Sequence, residues 1–482
     1  MHGLQCPKLL WYEYNDRSSL PPPEPALEFA FSEGHRVGAQ ARCLFPDGLM
    51  IERSWDPREQ HARSLKALEQ RRPLFEAGFV HGRAYALADI LVPVEQDQWD
   101  LIEVKASTGL KEEHYHDIAF QRYVYQGAGL KLRRAYLMHV NRDYVRHGRI
   151  DPKGLLVQHD ASRESEVLEH GVSRKIEAMV KAMAAEKAPE VKIGPHCTSP
   201  RDCPMIDLCW NFLPDKDSIF ILYSGGRKSH ELLEQGVESI TDIPDEFELN
   251  YRQEIQVRAH KENRPYVERD SLRRFLEQIK YPAYFIDFET VAPAVPLFEG
   301  SSPYEYIPFQ FSLYIVDSES ALPRHHAFLA EGRSDPRPVV LQQLKALLGD
   351  QGSIIAYSAG FEKRCLKEAA RAFPQYLDWQ KRLDDRFVDL LEPFQKFYFY
   401  HPAQNGRASL KNVLPALTGD SYQGLAIAEG GAASAEFFRV TYGDKAVPDN
   451  EEQKVRQALL DYCDLDTRGM VAILAALRQA VT

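Results

Sequence analysis

Ala283-Tyr284-Phe285-Ile286-Asp287-Phe288-Glu289-Thr290 is the stretch on which the reading of this chain turns. An apolar run of strand length closes on a D-x-E. Side chains of a strand alternate faces, so Asp287 and Glu289 point the same way and can share cations. Far downstream, Tyr462-Cys463-Asp464-Leu465-Asp466-Thr467 lies in a helical pattern. There Tyr462 and Asp466, at i and i+4, share a face, so one can hold a water while the other holds a metal. Together these are the donors that two-metal phosphodiester hydrolysis requires.

Composition sets the outer limits. At 482 residues the chain exceeds the size at which single cores stop growing, so two or three domains are expected. Apolar residues at 44%, aromatics at 11% and charged residues at 27% are ordinary for a folded globular protein. No run reaches the length of about 18 apolar residues that a membrane span needs. The start, Met1-His2-Gly3-Leu4-Gln5-Cys6-Pro7, lacks the basic and apolar regions of a signal peptide, so a cytoplasmic location is expected. A net charge of -11 argues against coating nucleic acid electrostatically, while leaving room for a local basic groove and for carboxylates that hold cations.

The chain reads as an α/β multidomain protein in three segments: 1–213, a linker 214–279, and 280–482. In the first, Ala86–Val92 and Trp99–Lys105 are strands with a turn at Gln96-Asp97-Gln98 between them. Helices are expected from Tyr115 to Gly127 and from Glu164 to Lys187. Pro21-Pro22-Pro23-Glu24-Pro25 reads as a stiff loop. In the linker, Glu231 to Pro244 reads as helix, glycine turn, short helix. Either its amides meet a phosphate, as in a degenerate helix-hairpin-helix unit, or Gly236 is a simple C-cap. From Tyr281 onward strand and helix signals alternate: Ala283–Phe288, Phe309–Val316, a helix near Val339–Leu348, Ser353–Tyr357, and a last helix from Glu452 to about Ala480.

In the first segment Asp89 lies mid-strand, Glu103-Val104-Lys105 ends the next strand, and Gln121 and Tyr125 stand one turn apart on the following helix. Asp89 and Glu103 could bind one divalent cation through hard oxygen ligands. Lys105 could position the attacking water and offset charge on a scissile phosphate. This ordered set resembles the PD-(D/E)XK nucleases, most closely the RecB-like branch. One departure is visible: in Gly34-His35-Arg36-Val37-Gly38, Gly38 falls where many RecB-like members carry a metal-binding His, and His35 is out of phase.

Seven cysteines fit thiols or metal ligands better than disulfides in a cytoplasmic chain. Cys197, Cys203 and Cys209 fall in one short stretch and Cys6 stands alone near the start; Cys43, Cys365 and Cys463 sit among apolar residues, as small core residues do. Several RecB-like nucleases hold an iron–sulfur cluster with one Cys before the nuclease core and three after it. The resemblance therefore implies a [4Fe-4S] cluster on Cys6, Cys197, Cys203 and Cys209, with zinc on the same thiols as the rival.

The last segment resembles the DEDD exonucleases of the RNase H-like fold, in the Tyr variant. Asp287 and Glu289 match the first motif. Glu362, in Ala359-Gly360-Phe361-Glu362, stands where the family usually has Asp, and Tyr462 and Asp466 match the third motif. Asp389 reads as an auxiliary acid, and Ser409-Leu410-Lys411-Asn412 is similar to the helix that often precedes the final motif. The resemblance implies that Asp287, Glu289, Asp466 and Glu362 hold two Mg²⁺ or Mn²⁺ ions while Tyr462 helps prepare a water.

The whole arrangement resembles an uncharacterised bacterial family of predicted two-nuclease proteins. It implies a metal-dependent nuclease acting on nucleic acid, with single-stranded DNA processed from an end, in repair or defence, as the expected case. Two alternatives stand beside it: an RNA exonuclease whose N-terminal module only binds, and an inactive nucleic-acid-binding scaffold. Basic and aromatic residues between Lys131 and Arg149 either track a phosphate backbone or form an ordinary solvated strand. Tyr304, Tyr306 and Phe309 either flank a substrate strand or pack in the core.

Overall fold

The computed structural model describes every residue except Met1, Pro23, Gln96 and Asp444. Pro23 of the expected stiff loop and Gln96 of the expected turn lie outside the described residues. The protein is a mixed α/β chain in two compact units. The first comprises Met1–Pro23, Leu27–Leu208 and Pro293–Glu305; the second comprises Glu24–Ala26, Cys209–Ala292 and Tyr306–Thr482. The stretch read as a linker thus counts with the second unit, and a short piece of the last segment counts with the first.

In the first unit a sheet of six strands runs in chain order: β1 (Leu49–Met50), β2 (Leu74–His81), β3 (Ala84–Pro93), β4 (Gln98–Lys105), β5 (Lys131–Val140) and β6 (Leu156–Asp160). β2, β3 and β4 form an antiparallel meander, whereas β4 and β5 are parallel and need the crossover that helix α1 (Glu112–Gly127) supplies. One core packs Ile118, Val124 and Tyr125 of α1 against Phe79, Ala88 and Leu101. The other joins Ile90, Ile102 and Met138 to Val37, Ala294 and Val295. That second core explains why Pro293–Glu305 belongs here, and the Glu33 carboxylate accepting from the Ala294 amide fixes the segment further.

The alternation of β2 inverts at one residue. Leu74, Ala77 and Phe79 face the first core while Phe75 faces the second, and Glu76 between them has φ +57°. On β3 the same inversion falls at Asp89, because Ala88 and Leu91 share a core and Ile90 lies in the other. A left-handed non-glycine residue inside a strand is strained and re-aims its neighbours.

The second unit is built on a sheet of order β9-β8-β7-β10-β11, where β7 is Ala283–Val291, β8 Ile307–Val316, β9 Arg324–Leu329, β10 Ser353–Ala356 and β11 Phe387–Asp389. β7 pairs antiparallel with β8 and parallel with β10. Tyr284, Ile286 and Phe288 of β7, with Phe311, Leu313 and Ile315 of β8, fill one core together with helices α2 (Arg337–Leu347) and α3 (Gly360–Ala372). Alternation then puts Asp287, Glu289, Gln310 and Ser312 on the opposite face. The long helix α4 (Asp449–Val481) covers that face, tied by Gln310 Nε2 to the Leu459 carbonyl at 2.8 Å.

Several sequence expectations are refined. The helix expected over 164–187 is two, Ser162–Glu169 and Val172–Met183, broken at His170-Gly171. Gly236 has φ +83°, and the amides of Gly236 and Val237 donate to Leu233 and Leu232 carbonyls, so this glycine is a helix C-cap. In the basic stretch Lys131 pairs with Asp97, Arg133 with Asp100 through both carboxylate oxygens, and Arg134 with Asp160. Cys43, expected as a core residue, is exposed just past a helix end, where its Sγ donates to the Ala39 carbonyl. Among the described residues no helix is long and apolar enough to cross a membrane.

Candidate functional site

The acids of the second unit gather where β7 meets α4. Asp287, Glu289 and Cys463 place ligand atoms within 4.8 Å of one another, the one such trio of His, Cys, Asp or Glu among the described residues. Cys463 Sγ lies 3.4 Å from Asp287 Oδ2 and donates to it. Asp466 follows Cys463 by three residues on the same helix, and α3 brings in Glu362, which is 2% exposed and whose Oε2 has no hydrogen-bond partner.

Electrostatics bind these acids into one system. Burial, and next the charge of Asp466, hold Asp287 well above the usual carboxylate range. Glu289 is raised in the same way by burial and by Asp287, and Glu362 by burial and Asp287. Asp466 rises only to about 6, because burial is opposed by a hydrogen bond from Tyr422, the charge of Lys411 and the Tyr462 hydroxyl. Four carboxylates so placed need cations in order to stay ionised together. Tyr462 is itself pushed above the usual tyrosine range by burial and by Asp466, so its hydroxyl stays protonated.

Three neighbours complete the site. Tyr422 donates to Asp466 Oδ1. Lys411, on the helix Leu410–Thr418, holds its ammonium 5.9 Å from the ring centroids of both Tyr422 and Tyr462. Gly430 begins the helix Gly430–Tyr442, and a Cβ there would stand 3.9 Å from Glu289 Oε2 and 4.0 Å from the Tyr462 hydroxyl. Asp389, read as an auxiliary acid, accepts on Oδ1 from the Ser358 and Leu391 amides and shapes the turn that leads into α3, and its charge adds to those that raise Glu362. Phe309 is core, stacked on Phe437 at 3.8 Å, while Tyr306 lies under Arg364 and against Phe361.

In the first unit, Asp89 Oδ2 accepts from the Val104 amide at 2.7 Å, which sets it beside Glu103. Glu103 takes Lys105 Nζ on one oxygen at 2.8 Å and Gln121 Nε2 on the other at 2.6 Å. Lys105 also reaches Asp117 at 2.8 Å. Burial works against the lysine's charge, but Glu103 and Asp117 outweigh it and raise its pKa, so the Lys105 ammonium stays charged. Gln121 Oε1 and the Tyr125 hydroxyl are buried with no hydrogen-bond partner. Burial first, then Glu103, holds Asp89 well above its usual range. Beside Gly38, Arg42 Nη1 stands 3.4 Å from where a Cβ would sit and 3.9 Å from Glu76. A guanidinium therefore lies near the place where the resembled family carries a histidine.

The cysteines are placed as follows. Cys6, Cys197 and Cys203 count with the first unit, and Cys209 with the second. Gln5 Nε2 donates to the His196 and Arg201 carbonyls, which sets Cys6 beside the stretch that holds Cys197 and Cys203. No disulfide joins any of the seven cysteines.

Sequence reading passed over Asp117, Lys411, Tyr422 and Cys463 as site residues. Asp117 had a signal, since 117, 121 and 125 repeat at four residues along one helix face. Tyr422 had none, because it lies in a connection without periodicity.

Known proteins add little chemistry. A family model described as "Domain of unknown function (DUF2779)" matches residues 284–409, which holds Asp287, Glu289 and Glu362 but stops before Tyr422, Tyr462 and Asp466. The chain is similar to "Uncharacterized protein MG366 homolog" of Mycoplasma pneumoniae, 26% identical over 233 residues, covering 43% of this chain and 33% of that protein. It is also similar to "Uncharacterized protein MG366" of Mycoplasma genitalium, 23% identical over 223 residues, covering 42% of this chain and 33% of that protein. The match thus spans about a third of the length of these curated relatives. No solved structure matches the chain.

Proposed function

We propose that the protein is a metal-dependent nuclease whose second unit hydrolyses phosphodiester bonds from the end of a single DNA strand. The observation that carries this reading is the acid cluster: Asp287, half-buried, and Glu289, buried, on β7, Asp466 buried on α4, and Glu362 with an oxygen that no protein group satisfies. Hard carboxylate oxygens suit Mg²⁺ or Mn²⁺, and Asp287, Glu289, Asp466 and Glu362 are the residues that would hold them. Divalent ions bound there would supply the charge that activates water and steadies the leaving oxygen. Tyr462, protonated and one turn before Asp466, orients the water. The order of these residues is that of a Tyr-type DEDD exonuclease on an RNase H-like fold.

For the first unit the proposal is a RecB-like PD-(D/E)XK site, with Asp89 and Glu103 as cation ligands, Gln121 and Tyr125 at its rim, and Lys105 as the cation facing the phosphate. Arg42 beside Gly38 favours a second reading of this unit as a module that binds without cutting. Iron–sulfur ligation by Cys6, Cys197, Cys203 and Cys209 is part of the proposal. In a [4Fe-4S] cluster each thiolate takes its own iron, so the sulfurs stand wider apart than around one zinc ion. Iron content and colour of anaerobically purified protein decide between the two metals.

The central experiment offers end-labelled single-stranded DNA, duplex DNA and RNA to the parent and to Asp287→Ala, with Mg²⁺ or Mn²⁺. The parent should shorten single-stranded DNA from the end and Asp287→Ala should not. Shortening of RNA alone would move the substrate class. Equal degradation by parent and variant would remove this site from the chemistry.

A further inference from the structure

The eleven residues from Gly419 to Glu429 connect two helices without regular structure. Ser421, Gln423 and Gly424 of this connection are exposed, yet Tyr422 between them is 8% exposed and directed inward. Its hydroxyl donates to Asp466 Oδ1, and its ring lies 6.0 Å from that of Tyr462. A buried loop tyrosine with its hydroxyl on a candidate metal ligand is not explained by packing alone, since a phenylalanine would fill the same space without desolvating a hydroxyl.

Two tyrosines thus reach one carboxylate, and their chemistry differs. Tyr422 donates its hydroxyl to Asp466 Oδ1, whereas the Tyr462 hydroxyl, which also reaches Asp466, stands toward Glu289: a Cβ on Gly430 would lie 4.0 Å from it and 3.9 Å from Glu289 Oε2. A hydroxyl donated to one oxygen of a carboxylate fixes the plane of the group and leaves the other oxygen for a cation, which is how partners behind a metal ligand set its orientation. Lys411, whose ammonium lies 5.9 Å from both ring centroids, holds the two tyrosines under a common positive charge.

We propose that Tyr422 is a positioning residue of this site: it orients Asp466 for a divalent cation, while Tyr462 serves the water. The inference rests on the exonuclease reading given above and assigns a division of labour within it.

The test measures Mn²⁺ binding to the full chain by the loss of the free-ion electron paramagnetic resonance signal. An Asp89→Asn, Glu103→Gln background keeps the first unit from contributing. Tyr422→Phe should weaken Mn²⁺ binding roughly 10- to 100-fold, the usual effect of removing a partner behind a ligand. Tyr462→Phe should bind Mn²⁺ as the background protein does and lose turnover. Circular dichroism and a metal-free melting curve show that Tyr422→Phe is folded; a lower melting temperature with unchanged Mn²⁺ affinity would reduce Tyr422 to packing and overturn the proposal. Weakened Mn²⁺ binding in Tyr462→Phe but not in Tyr422→Phe would reverse the assignment and overturn it as well. If Asp287→Ala leaves Mn²⁺ binding untouched, the acid cluster is not the metal site and both readings fall together. If Asp287→Ala abolishes binding and Tyr422→Phe does not, this inference alone fails.

Discussion

Asp287 sits in an environment that opposes its own charge, because burial and the neighbouring Asp466 both favour its protonated form. A carboxylate whose folded-state pKa is raised stabilises the fold below its unfolded pKa, and that contribution is lost as pH rises through the folded value. Metal-free protein should therefore weaken as pH climbs from about 4, the ordinary carboxylate value, past the value of about 6 for Asp466. Cations reverse the effect, since they bind the ionised form. Asp287→Asn keeps the shape and removes one of the repelling charges. In EDTA at pH 8 its melting temperature should rise by a few degrees, at about 2–4 °C per kcal/mol for a unit of this size. The same variant should lose the upward shift that Mn²⁺ gives the parent. Melting curves of both proteins with EDTA and with Mn²⁺ check this, and a lower EDTA melting temperature with a retained Mn²⁺ response would contradict it.

At the level of elements, the strands and helices that carry acids were legible wherever periodicity was strong. β7, β8, α2 and α4 all lie within a few residues of where apolar alternation or helical spacing puts them. The inversion at Glu76 was not legible, because it depends on a left-handed backbone at a residue type that gives no sign of it, and the matching inversion at Asp89 on the paired strand was equally hidden. Nor was the break at His170-Gly171, between the helices Ser162–Glu169 and Val172–Met183. Tyr422 escaped for a related reason: a loop residue buried by tertiary packing has no local pattern. Glycine is more readable. Gly352, just before β10, has φ +89°, and a Cβ there would stand 1.9 Å from the Pro282 carbonyl oxygen. No side chain fits such a contact, and β10 runs directly into the turn that launches Glu362. Gly352→Ala should cost at least about 1–3 kcal/mol from backbone strain, with more from the clash. Urea unfolding measures it, and an unchanged midpoint would show that the β7–β10 edge tolerates a shift that this packing forbids.

Across the whole molecule, one set of acids lies in each compact unit: Asp89 and Glu103 in the first, Asp287, Glu289, Glu362 and Asp466 in the second. Motif order was the most legible feature of the chain and unit boundaries the least. Chemistry is carried by a few residues at fixed spacing, whereas a boundary depends on which core a segment such as Pro293–Glu305 joins, here the one containing Val37 and Ile90. Separate sites imply separable products. Lys105→Ala removes the fixed cation of the first unit and should leave release of nucleotides from a labelled end intact. Asp287→Ala should stop that release and leave whatever cleavage the first unit performs. Because the two changes touch different networks, their effects on the logarithm of the rate should add in the double variant. A ladder from an end-labelled single strand, run for the parent, both single variants and the double variant, reads all of this at once. Loss of every product in Asp287→Ala alone would mean that the first unit binds without cutting, as Arg42 beside Gly38 allows. Degradation by the double variant at the parent's rate would mean that neither constellation is a nuclease site.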